Sequence, residues 1–126
     1  MTHVLVADDR TDIRMMYRLA LGKAGYDVSE ASDGDEATAL LARLDFDAVL
    51  LDIMMPGANG IEVCRTIRKT MGSRVPVLIV SALTRPLDKA LAFDAGATGY
   101  IEKPVSPRAL VARIEHLTRA ARPPAA

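Results

Sequence analysis

Five short strand-like runs, the second of them weaker, alternate with five stretches of helical period, and this alternation narrows the possible folds more than any other feature. The runs are His3–Ala7, Tyr26–Ala31, Ala48–Leu51, Pro76–Ser81 and Thr98–Ile101. Short runs with little polar alternation suit strands covered on both faces. Pro76 stands first in its run, where a strand tolerates it. The first helix is predicted over Asp12–Ala24, with Ile13, Met16, Tyr17, Ala20, Leu21 and Ala24 on one side and Gly25 as its stop. Ser32 or Asp33 caps a second helix that runs to about Leu44. Asn59 or Gly60 opens the third, with Ile61, Cys64, Ile67, Arg68 and Met71 on one face. Thr84 or Arg85 to Ala95, closed by Gly96, makes the fourth. Ser106 as N-cap and Pro107 in the first turn start the fifth. Strand and helix in strict alternation predict an α/β fold, a parallel sheet with helices on both faces. The 126 residues suit one domain with one core. Arg122–Ala126 reads as a tail or the start of a linker, which leaves 1–121 as the domain.

Composition excludes several classes of function. No apolar run reaches the ~18 residues of a membrane span, so no membrane association is expected. A single cysteine, Cys64, excludes an internal disulfide and fits a reducing compartment, so a cytoplasmic location is expected. Cys64 falls on the apolar side of its helix and is expected to be a small buried residue. Net charge is zero, which argues against nucleic-acid binding by this domain. The zero conceals an asymmetry: residues 1–60 hold eleven acidic and five basic side chains, and residues 61–126 the reverse. Solvated helix faces explain such a split, and so does an acidic pocket from the first half answered by a basic group from the second.

The strand ends carry the chemistry. Asp8 and Asp9 follow the first strand, Asp52 the third, Ser81 ends the fourth, and Lys103 comes just after the fifth. In a parallel sheet these ends lie along one edge, where open α/β sheets bind their ligands. Asp52 is placed as a metal ligand, a nucleophile or both. Three carboxylates crowded together call for a cation, and an all-oxygen set favours Mg²⁺. Lys103 offers a point charge for an anion beside the metal, and Ser81 a hydroxyl donor. Together these are the parts of phosphoryl transfer to an aspartate. Taken alone, Asp8-Asp9 is more often a turn or cap, and Ser81 more often structural.

Asp8-Asp9, Asp52 with Met55-Pro56 and Gly60, Ser81-Ala82, and Lys103-Pro104 after Tyr100 form an ordered set. With it the chain resembles the receiver domains of bacterial two-component response regulators, over nearly its whole length. The resemblance implies strand order 2-1-3-4-5 in a flavodoxin-like three-layer sandwich with five helices. It implies that Asp52 accepts a phosphoryl group from a histidine kinase or histidine phosphotransfer protein. Asp9, Asp52 and the backbone carbonyl of Met54 would ligate Mg²⁺, with Asp8 acting mainly through water. Ser81 and Lys103 would hold phosphoryl oxygens, and Tyr100 would report the state of Ser81. The Lys103–Pro104 peptide would be cis. Such a domain is not a turnover enzyme. It would control a downstream protein target or a fused output domain, as a monomer or a phosphorylation-dependent dimer. Arg10, Asn59, Met54 and Leu83 depart from the family's commoner residues, and Ser81 stands where Thr is commoner.

Helix one holds one further candidate. With Met16, Tyr17, Ala20, Leu21 and Ala24 as its core face, Ile13, Met15 and Leu19 are left over, flanked by Arg14 and Arg18. Extended by Pro104 and Val105, they read as a partner-docking stripe with a basic rim. Two rival functions are weaker. An aspartate-nucleophile phosphatase needs a second acid two residues after the nucleophile, where this chain has Met54. A flavin protein of like topology needs phosphate-binding hydroxyls after strand one, where this chain has two carboxylates.

Overall fold

The computed structural model describes residues 2–72 and 74–121. Ten elements alternate: β1 His3–Ala7, α1 Thr11–Lys23, β2 Asp27–Ala31, α2 Gly34–Arg43, β3 Ala48–Leu51, α3 Gly60–Met71, β4 Val77–Ser81, α4 Pro86–Asp94, β5 Gly99–Glu102 and α5 Pro107–Ala121. The five strands form one parallel sheet in the order β2-β1-β3-β4-β5. Residues 122–126, read above as a tail or linker, lie outside the described residues. No described helix is long and apolar enough to cross a membrane.

The three central strands are buried on both faces, which is why β1, β3 and β4 read as apolar runs, while the edge strands β2 and β5 are only partly covered. Leu5, Val49, Leu51, Val77 and Ile79 face one cluster with Ala37, Leu41, Val63, Cys64, Ile67 and Ala92 from α2, α3 and α4. Val4, Val6, Leu50, Leu78 and Val80 face the other with Tyr17, Leu21, Leu110, Ile114 and Leu117 from α1 and α5. The period of two along each strand thus feeds two separate cores.

The element ends have local causes. Asp33 caps α2 by accepting from the Glu36 N–H, and the Ser32 hydroxyl donates to the Glu36 carboxylate. Asn59 and Glu62 form a capping box on α3, which gives the departure at position 59 a role. Ser106 accepts from Ala109 N–H at the start of α5. Tyr26 falls outside β2 because its N–H closes α1 onto Leu21. β4 starts at Val77, since Pro76 has no N–H to give a ladder. β5 runs one residue further than expected, because Glu102 still pairs with Ser81. The Lys103–Pro104 peptide is cis.

The phase of α1 differs from the sequence reading. Tyr17 and Leu21 are its buried residues, and Ile13, one turn before Tyr17, packs against the same core. Met16 sits ~100° around the helix from Tyr17 and is exposed, as is Ala24. On α3 the buried residue missed is Val63. Arg68, placed on the apolar side, instead donates to the carbonyls of Val75 at 2.7 Å and Gly96 at 2.8 Å, closing loops that a hydrophobe would leave open.

Gly60 holds the third helix against the strand end. A Cβ there would lie 2.2 Å from the carbonyl oxygen of Asp52, a backbone atom. Gly60→Ala should therefore destabilise the fold by about 1–3 kcal/mol, the usual cost of forcing an extra carbon into a packed site. Urea unfolding would show this as a lowered midpoint with an unchanged slope. An unchanged midpoint would mean the α3 N-terminus shifts freely.

Candidate functional site

The parallel ladder continues one step past three of the strands, and that step builds the site. Asp8 N–H donates to Ala31 O at 3.1 Å, Asp52 N–H to Ala7 O at 3.0 Å, and Lys103 N–H to Ser81 O at 2.8 Å. Asp8, Asp52 and Lys103 are therefore set along one sheet edge by backbone pairing alone.

Their side chains meet. The Lys103 ammonium donates to Asp8 Oδ2 at 2.7 Å and to Asp52 Oδ2 at 2.8 Å. Asp8 and Asp52 are buried, while Asp9 is exposed. Carboxylate oxygens of Asp8, Asp9 and Asp52 lie within 4.8 Å of one another. All three acids come from the first half of the chain and the cation from the second. Burial pulls the Lys103 pKa down, but the hydrogen bonds it donates to Asp52 and Asp8, with the charge of those carboxylates, outweigh it, so the net shift is upward. The ammonium stays charged across the neutral range. The other Asp8 oxygen accepts from Arg10 N–H at 2.9 Å, and the other Asp52 oxygen from Met54 N–H at 3.1 Å. The Met54 side chain points to solvent.

Next to this edge, Ser81 is fully buried and its hydroxyl oxygen accepts from Leu83 N–H at 3.3 Å. The Tyr100 hydroxyl donates to Leu83 O at 2.6 Å, so Leu83 is held from both sides. Burial pushes the Tyr100 hydroxyl pKa up. Lys89 lies 6.0 Å from the centre of its ring and pairs with Glu102. A bidentate pair, Arg85 to Asp88 at 3.0 Å for both bonds, fixes the first turn of α4.

The α1 stripe is narrower than the sequence suggested. Met15 and Leu19 are 48% and 60% exposed, and Pro104 is exposed. Ile13 and Val105 pack against the core beneath, so they are not free surface. Arg14 is not a free rim cation either. Its guanidinium donates to Asp8 O at 2.7 Å and lies 3.4 Å from Glu30. Sequence reasoning gave neither Arg14 nor Glu30 a place at the site, because a charged residue on a helix and another on an edge strand read as solvated. Cys64 is buried, with its thiol pKa raised by burial, and its Sγ lies 3.5 Å from Ala95 O.

Comparison with known proteins agrees with this geometry. A family model described as "Response regulator receiver domain" matches residues 4–115. The transcriptional regulatory protein ResD of Bacillus subtilis (strain 168) is 42% identical over 120 residues, 95% of this chain and 49% of that protein. The chain spans about half the length of the curated relatives it matches. Among solved structures, the receiver domain of the Francisella response regulator 1452 superposes with a TM-score of 0.90 at 32% identity, covering 97% of this chain and 100% of that one. A CheY-like receiver domain protein from Methanospirillum hungatei JF-1 gives 0.92 at 27% identity, covering 96% of each chain. With its 2-1-3-4-5 parallel sheet and its acidic edge answered by Lys103, the chain belongs to the response regulator receiver domain family of two-component systems.

Proposed function

We propose that this chain is a phosphoacceptor signalling domain. Asp52 takes a phosphoryl group from a phosphohistidine on a histidine kinase or phosphotransfer protein, and the domain then changes conformation to control a protein target or an output domain. The observation that carries the reading is Lys103 held between Asp8 and Asp52 on the edge where Asp9 completes a carboxylate cluster.

An Asp52 oxygen would donate its electron pair to phosphorus as the P–N bond breaks, and the electrons of that bond leave with the imidazole. Lys103 would meet the phosphoryl charge, and the Ser81 hydroxyl would donate to a phosphoryl oxygen. The all-oxygen cluster fits Mg²⁺, held by Asp9, Asp52 and the Met54 carbonyl, with Asp8 acting through water. When bound, the ion offsets the carboxylates' repulsion and neutralises charge on the transferring group. The exposed thioether of Met54 has no proton to give, which supports a regulator whose chemistry is confined to its own phosphorylation and dephosphorylation.

The switch runs through Leu83. If Ser81 turns toward a phosphoryl oxygen, its oxygen carries the bond from Leu83 N–H with it, so Leu83 would be displaced or released. Leu83 also holds Tyr100, so the aromatic would move with it, and the surface of α4, β5 and α5 would change. On the other side of the pocket, Met15, Leu19 and Pro104 would receive the helices of the histidine-bearing partner.

Three outcomes follow from this reading. Asp52→Asn should fold yet take no label from a kinase or from acetyl phosphate, and excess EDTA should suppress labelling of the native chain. Undiminished labelling of the Asn variant at another position would refute the nucleophile. Beryllofluoride with Mg²⁺ should move the amide NMR signals of Leu83, Tyr100 and α4 as well as those of the pocket. Shifts limited to residues touching the pocket would argue against a switch. Met15→Glu combined with Leu19→Glu should slow phosphotransfer from a histidine-bearing partner and leave acetyl phosphate labelling unchanged. Equal loss with both donors would instead show damage to the fold.

A further inference from the structure

The Asp8–Asp9 turn is held very unevenly. Asp8 is tied at every polar atom: N–H to Ala31 O, Oδ1 by Arg10 N–H, Oδ2 by Lys103, and its carbonyl by Arg14 Nη1 at 2.7 Å. No hydrogen bond or ion pair among the described residues reaches the Asp9 carboxylate. Yet that carboxylate belongs to a cluster of three acids within 4.8 Å. Like charges at that range repel, and Asp9, being exposed, has water to retreat to. Something must fix the backbone that aims it.

The peptide joining Asp8 to Asp9 is planar, so anchoring the Asp8 carbonyl oxygen fixes the plane from which Asp9 departs. We infer that Arg14 is a positioning residue, whose guanidinium locks the Asp8–Asp9 peptide so that Asp9 faces Asp8 and Asp52 and can join them on a divalent cation. The inference rests on the reading of this cluster as a Mg²⁺ site.

Arg14 is built for the task. Its side chain is only 14% exposed, and it rises from the first turns of α1, where its own N–H bonds to Arg10 O. Its second terminal nitrogen donates to Thr11 Oγ1 at 3.4 Å, so the same fork spans the turn and the helix start. Its Nε lies 3.4 Å from Glu30 on the neighbouring strand β2. Glu30 also pairs with Arg18. A cation beside a metal site weakens metal binding by repulsion, and Glu30 offsets that charge. Shared with Arg18, Glu30 reduces the fork's electrostatic penalty without removing it. A lysine offers a charge but no fork, and does not hold carbonyl, hydroxyl and carboxylate together.

Charge and position predict opposite signs, which makes the inference testable. If Arg14 acted only as a nearby cation, removing it would tighten Mg²⁺ binding. If it positions Asp9, removing it weakens binding, by about tenfold or more on the usual scale for groups that orient metal ligands. The experiment is a MgCl₂ titration of the native chain, Arg14→Gln and Arg14→Lys, followed by calorimetry. It is paired with hydrogen exchange of the Arg10 amide in metal-free protein. Arg14→Gln should bind Mg²⁺ at least about tenfold more weakly and exchange the Arg10 amide about tenfold faster, with Arg14→Lys between it and the native chain. Unchanged or tighter Mg²⁺ binding by folded Arg14→Gln overturns the inference. Should Arg14→Gln not fold, native-like affinity and exchange in Arg14→Lys overturn it equally. If the native chain itself binds no Mg²⁺, the functional reading fails instead, and the Arg10 amide alone judges Arg14: native-like exchange in the variants refutes it.

Discussion

The Lys103 ammonium between Asp8 and Asp52 is the contact on which the site depends. Two buried carboxylates from different strands cannot share an edge as anions without a cation between them. Lysine suits the position because its charge is compact and its donors rotate on a flexible stem. The same ammonium can hold two carboxylates or turn toward a new anion without rebuilding the site around it. Its backbone is fixed meanwhile, since Lys103 N–H prolongs the β4–β5 ladder onto Ser81 O.

That ladder explains why a sheet buried on both faces is the right scaffold. The strands meet helices on each side, so their ends are the only places where polar groups collect without disturbing a core. Extension of the pairing by one residue past β1 and β3 sets Asp8 and Asp52 to within backbone precision. Groups supplied by loops need separate fixing. Gly60 lets α3 approach the Asp52 carbonyl closely, and the capping box of Asn59 and Glu62 holds the helix start there.

Much of this is legible in the sequence, for physical reasons that also mark its limits. The doubly buried central strands announce themselves as apolar runs, whereas edge strand β2 carries Asp27, Ser29 and Glu30 and reads more weakly, so its place rests on the alternation with helices. The chemistry-bearing residues can be read because they sit where those runs stop. Helix phase is harder. Ile13 and Met16 are both apolar, and only packing shows that Ile13 faces the core while Met16 does not. Harder still are charged residues used for their geometry. Arg68 serves loop carbonyls, and Arg14 serves the Asp8 carbonyl, yet on a helical wheel each looks like an ordinary surface cation. Backbone acceptors leave no trace in side-chain patterns, so no periodicity would have exposed these partners.

Magnitudes constrain how the proposed switch can work. Moving a population from 1:99 to 99:1 needs ~5.5 kcal/mol of differential interaction. Ser81 would gain a charge-assisted hydrogen bond of about 1.5–3 kcal/mol, less about 0.5–1.5 kcal/mol if its rotation breaks the bond from Leu83 N–H. A gain of about 3 kcal/mol at most does not suffice alone. Lys103 adds less than its charge suggests, since it already has two anionic partners to leave. The remainder must come from the phosphoryl group's other contacts, or the resting population must be less extreme than 1:99. The second alternative follows naturally from the loop itself. Leu83 is tied by one bond at 3.3 Å on its N–H side, so the resting arrangement is held lightly at the point where the signal would enter. On the output side the holds are firmer, with Tyr100 on Leu83 O and the Arg85–Asp88 pair at the start of α4. In the proposed switch, a segment loose at its entry and tied at its exit would move as a unit and so would carry a local change of hydrogen bond to a distant surface.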